Sequence, residues 1–153
     1  MRRILAACLI ACGMSAVPAA AATDPPPRAA LEGFVCQRST NHFDRAIEVV
    51  GVMRPLTGTQ AMAMKFVLLR RQNIGGPYDP VRGRDLESWL TPTPATLGQR
   101  PSDVWRLDKL VVNLPAPAVY RFRVSFRWTG TSGTAIGRTE LVSPLCSQWA
   151  GLH

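Results

Sequence analysis

The chain has 153 residues, of which 46% are hydrophobic and 18% charged, so it is sized and composed for one folded domain and is neither a disordered tail nor a fibre. Its formal net charge is +8, carried almost entirely by arginine, since Lys65 and Lys109 are the only lysines. A GC-rich genome yields that bias without selection, and an anionic partner would also fit it; net charge speaks to solubility and association, not to fold.

Residues 1–22 read as an export signal. Arg2 and Arg3 give a positive start, residues 4–17 are mostly apolar, Pro18 breaks the run, and residues 19–22 are all alanine. Charge, grease and small residues in that order are what signal peptidase cuts. The run is shorter than the roughly 20 apolar residues of a membrane span, and no later segment is longer, so no transmembrane segment is expected. The expected location is extracellular or periplasmic. Leu9-Ile10-Ala11-Cys12 resembles a lipobox, which leaves a lipoprotein anchored at Cys12 as the alternative. Beyond the leader, 16 basic and 10 acidic residues remain.

Residues 23–32, with prolines at 25, 26 and 27, read as an extended linker, and 29–31 as a short turn. The domain is expected over 33–146, opening with an edge strand at Gly33-Phe34-Val35-Cys36. Residues 46–53 are rich in β-branched side chains and end at Arg54-Pro55 and Thr57-Gly58, a strand followed by a turn. Residues 59–70 alternate Met62, Met64, Phe66 and Leu68 against Ala61, Ala63, Lys65 and Val67. Met, Leu and Ala also suit a helix, but the tight turn in front favours a hairpin with the preceding strand.

Residues 71–84 and 91–102 read as loops, with a short strand around Trp89 between them, and 104–114 as one strand or two with a kink. The clearest strand follows. Tyr120, Phe122, Val124, Phe126 and Trp128 share one face, while Arg121, Arg123, Ser125 and Arg127 share the other. Residues 129–133 turn, 134–142 return as its partner, and 147–153 read as a tail.

About seven short strands with turns between them predict an all-β, immunoglobulin-like antiparallel sandwich. The stretch from Leu114-Pro115 through Tyr120 to Val124 resembles the turn into the penultimate strand of fibronectin type III and other immunoglobulin-like domains. The layout is similar to secreted bacterial modules that accompany CARDB-type cell-adhesion domains. That resemblance implies that the Tyr120 hydroxyl bonds back to the preceding backbone. It covers residues 114–142, and the cysteines depart from the antibody pattern.

With Cys8 and Cys12 in the leader, Cys36 and Cys146 remain as an even pair, which in an exported chain reads as a disulfide. Closing so long a loop stabilises by about 4–5 kcal/mol in the chain-entropy account. No CxxC pair exists and the two histidines, His42 and His153, are far apart, so no metal or other cofactor is expected.

No nucleophile stands with a base. His42 and Asp44 lack a serine in a GxSxG context, and Gly130-Thr131-Ser132-Gly133 is placed as a hairpin turn. Asp79, Asp85, Glu87, Asp103 and Asp108 sit among arginines as salt pairs. Gly75-Gly76 precedes Pro77, which lacks the N–H a phosphate cradle needs. What remains is binding: the Arg121, Arg123 and Arg127 strand face, and Trp89 and Trp105 beside loops, able to stack on sugars or cap the core. The sequence therefore reads as a non-catalytic adhesion or envelope-polymer-binding module, with an anionic polymer or another extracellular protein as partner and no specific nucleic acid. The alternative is a structural, accessory extracellular domain with no ligand of its own.

Overall fold

Alternation of apolar and polar side chains gives a strand one dry face and one wet face, and two such sheets hide their dry faces against each other. The computed structural model describes residues 24–150. Its strands are β1 (Ala29–Gln37), β2 (Ala46–Met53), β3 (Ala61–Arg71), β4 (Asp79–Pro80), β5 (Trp89–Leu90), β6 (Trp105–Val112), β7 (Ala118–Thr129), β8 (Ala135–Val142) and β9 (Cys146–Gln148). They form two antiparallel sheets, one of three strands in the order β1-β2-β6 and one of six in which β4-β3-β7-β8 is joined by β5 on β3 and β9 on β7. The fold is an all-β sandwich, and its only other regular element among the described residues is a 3-10 turn at His42–Asp44.

β7 is the spine. Tyr120, Phe122, Val124, Phe126 and Trp128 are all buried, opposite Met62, Met64, Phe66 and Leu68 of β3. Ile47, Val49 and Met53 of β2 and Trp105 of β6 close the core from the other sheet. Each such side chain contributes about 1.5–3 kcal/mol by leaving water.

Three features depart from the expectations above. First, residues 59–70 are a strand but not a hairpin partner of β2. β2 pairs with β1 and β6, whereas β3 pairs with β7 along its whole length, so residues 54–60 carry the chain from one sheet to the other. That crossing is pinned by Trp128 Nε1, which donates to the Arg54 carbonyl at 2.7 Å.

Second, β1 starts at Ala29, inside the segment assigned to a linker. Gly33 does not open the strand. It sits at φ +59° in a bulge between Glu32 and Val35, where the register on β2 shifts. An added Cβ would lie 3.1 Å from Val50 Cγ2, so glycine serves both the backbone and the close approach.

Third, the tail begins in order: Cys146–Gln148 pairs with Ala118–Tyr120. Gln148 is buried and its Nε2 donates to the Gln37 carbonyl at 2.9 Å. Three residues are too few to show a period, so the sequence hides this strand. Of the two readings of 104–114, the single strand holds: it is β6, whose inward row begins with Trp105.

Cys36 and Cys146 are bridged, with Cα atoms 5.4 Å apart. Because Cys36 is in β1 and Cys146 in β9, the bond staples the two sheets. Among the described residues no helix is long and apolar enough to cross a membrane. The signal, the Cys12 alternative and residues 151–153 of the tail lie outside the described residues.

Candidate functional site

With even-numbered β7 residues committed to the core, Arg121, Arg123, Ser125 and Arg127 must face out. Register then adds neighbours that the sequence does not display. Ser125 lies opposite Lys65 on β3 and Glu140 on β8, and Lys65 in turn lies opposite Trp89 on β5. One row across four strands therefore reads Trp89, Lys65, Ser125, Glu140. The next row places Arg127 opposite Arg138.

The segment after β3 folds over this face rather than away from it. Val81 N donates to the Leu68 carbonyl at 2.7 Å and Glu87 N to the Phe66 carbonyl at 2.8 Å, which ties the segment to the edge of β3. Tyr78 is thereby laid under two guanidiniums, Arg121 at 4.2 Å and Arg71 at 4.9 Å from its ring centroid. Trp89 meets Arg127 at 4.3 Å and Lys65 at 5.0 Å. Such contacts stabilise by about 0.5–2 kcal/mol each, more as they are desolvated.

The arginine face is consequently not the uniformly solvated surface that alternation alone suggests. Arg121 and Arg127 are half-buried while Arg123 is exposed. The Nε atoms of Arg71, Arg121 and Arg127 are buried with no hydrogen-bond partner.

Charge on the face is unevenly compensated. Glu140 accepts from the Ser125 hydroxyl at 3.2 Å and lies 3.9 Å from Arg123. Among the described residues neither Arg127 nor Arg138 forms a salt bridge. Two cations directly opposite each other on paired strands repel. Between Trp89 and β8 lies an open cleft of about 350 Å³, lined by Trp89, Ser125, Phe126, Arg138, Thr139 and Glu140.

Of the five binding residues read from the sequence, the structure brings Arg121, Arg123, Arg127 and Trp89 to one face. Trp105 does not join them. It is 7% exposed, faces inward from β6 in the other sheet and belongs to the core. Sequence reasoning missed Lys65, Tyr78, Arg138 and Glu140. A hairpin closed at 130–134 sets β8 against β7, but a straight count from it pairs 127 with 137; the register shift between Trp128 and Thr129 moves Arg138 across from Arg127 and Glu140 across from Ser125, and no sequence pattern marks that shift. Tyr78 depends on how a long loop runs and Lys65 on which strand β3 pairs with, and no local pattern encodes either.

The other candidate groups are used structurally. His42 is exposed in the 3-10 turn, edge-on to Phe43. Asp44 accepts from Asn41 Nδ2 at 3.0 Å. Asp85 lies 3.8 Å from Lys109 Nζ and 3.9 Å from Arg84. Asp103 accepts backbone N–H bonds from Gly98 and Arg100, which hold its carboxyl below the ordinary aspartate value. Among the described residues no three His, Cys, Asp or Glu side chains gather as a metal site.

Comparison with family models, curated proteins and solved structures finds no match for this chain.

Proposed function

We propose that the protein is an exported, non-catalytic binding module that holds an acidic envelope polymer on the outer face of its six-stranded sheet. The observation that carries this reading is Trp89 stacked with Lys65 and Arg127, in a cleft shared with an Arg138 that has no salt-bridge partner among the described residues. An aromatic surface beside forked donors suits a ligand that is part apolar ring and part anion. Export is supported by residues 1–22 and by a disulfide of the kind that persists in oxidising compartments. The resemblance to adhesion-associated immunoglobulin-like modules supports a binding role by association.

A second reading has its own observation. Arg121 and Arg127 spend part of their cationic faces on Tyr78 and Trp89, which is what a ligand-free accessory domain would use them for, namely to hold a loop down.

The deciding experiment is a pull-down of the purified domain on its own cell envelope and on the envelope's anionic polysaccharides, at about 0.1 M and about 1 M salt. The Debye length falls from about 10 Å to about 3 Å over that range, so binding should be lost. Replacing Arg121, Arg123 and Arg127 together with Ser should abolish retention at low salt. Since two of these touch the loop, Arg123→Ser with Arg138→Ser gives a second variant that leaves both rings stacked. Undiminished retention of both variants would move binding off this face, and no retention of the wild-type domain at low salt would leave the accessory-domain reading.

A further inference from the structure

The face as a whole is basic, yet its central row carries an acid. Glu140 stands directly across from Ser125, with Arg138 two residues before it on the same strand, and both line the cleft walled by Trp89. A surface built only to attract polyanions gains nothing from a carboxylate at its centre, because dense negative charge on the ligand is repelled there. A carboxylate does serve a ligand that brings hydroxyl donors close to its own negative charge. The Ser125 hydroxyl, which can donate and accept, adjoins it.

We infer that this cleft takes a single carboxylated sugar unit, of uronic acid type, within the polymer. The inference rests on the binding reading above and narrows it from acidic polymers in general to carboxylated polysaccharides. The sugar carboxylate meets the Arg138 guanidinium, with Arg127 opposite as a second cation. The apolar face of the ring packs against the exposed part of the Trp89 indole, which is 37% accessible. Ring hydroxyls donate to Glu140 and exchange hydrogen bonds with Ser125. The cleft's volume of about 350 Å³ holds one sugar ring and leaves its ends open for the chain to continue. Arg123, which lies 3.9 Å from Glu140, orients that carboxylate as an acceptor.

The test is calorimetric titration of the whole disulfide-bonded domain with three probes: an oligogalacturonate, a polyphosphate of matched charge, and a pyrimidine oligonucleotide. Oligogalacturonate should bind tightest. Trp89→Ala and Arg138→Ser should each weaken it at least tenfold, with unchanged circular dichroism and melting showing that the fold is intact. Glu140→Gln is isosteric and at an exposed position, so it keeps the test open if Trp89→Ala loosens its loop. It should weaken oligogalacturonate and strengthen polyphosphate, narrowing the preference by tenfold or more.

Polyphosphate binding the wild type as tightly as oligogalacturonate, with Glu140→Gln indifferent to both, would overturn the sugar subsite and leave the general acidic-polymer reading standing. The oligonucleotide binding tightest would overturn it in favour of base stacking on Trp89. No binding of any of the three at low salt would overturn the binding reading itself.

Discussion

The Tyr120 hydroxyl donates a 2.7 Å hydrogen bond to the Pro115 carbonyl, five residues back along the chain. The bond locks the entry into β7, the strand on which both the core and the basic face are hung. Tyr120→Phe keeps the ring and removes only this bond, so equilibrium unfolding should show a loss of about 1 kcal/mol.

The same side chain sets an alkaline limit. Burial raises its pKa above the ordinary tyrosine value, with Arg70 pulling the other way. A raised value in the fold means that the neutral phenol is favoured there; its contribution is complete below pH 10 and is lost as pH climbs through the folded value. Melting temperature should therefore fall more steeply above pH 10 in wild type than in Tyr120→Phe.

Reduction of the Cys36–Cys146 bridge should cost about 4–5 kcal/mol if the loop-entropy account holds. Denaturant melts with and without reductant measure this. Thiol titration of the unreduced, denatured domain should find no free sulfhydryl at these two positions.

Asp103 should show the opposite pH dependence from Tyr120. Its folded value is depressed, so its stabilisation is present above the ordinary value of 3.8 and is lost as pH falls through the lower folded value. Asp103→Asn should melt below wild type at neutral pH, and the two curves should converge as pH falls through the lowered folded value.

Gly51 has no Cβ because the facing sheet leaves no room for one. A Cβ there would stand 2.7 Å from Met64 Sδ and 3.1 Å from Phe66 Cζ. Gly51→Val should cost about 1–3 kcal/mol through overpacking. The Met64 side chain can shift and the Phe66 ring much less, so Gly51→Val with Met64→Ala should recover part of that loss in the same unfolding measurement.

Where local chemistry decided a feature, the sequence displayed it. Residues 120–128 alternate strictly because one face meets the core and the other does not, and the paired cysteines need only a shared compartment. Pairing partners were a different matter. A tight turn after residue 53 suggested a hairpin, but β3 finds its partner some sixty residues later in β7, and nothing near residue 60 records that choice. The site divides in the same way. Its arginines were visible as a strand face. The rings that modify them arrive on a loop whose course is fixed by bonds to the edge of β3, and Trp105 looked available because it stands beside a loop at the start of its strand, although its side chain faces inward.

The bridge between β1 and β9 joins the first and last strands of the described residues, so the chain from residue 36 to residue 146 is a closed covalent ring. A single cut at Ile74, which is fully exposed, opens that ring without releasing either half. The two pieces would stay tethered by sulfur and held by β3 against β7. A protease that nicks the domain therefore makes a two-chain molecule with the same surface, detectable as two bands only after reduction. Survival of the nicked form turns on the redox state of its surroundings rather than on the number of cuts in any one loop.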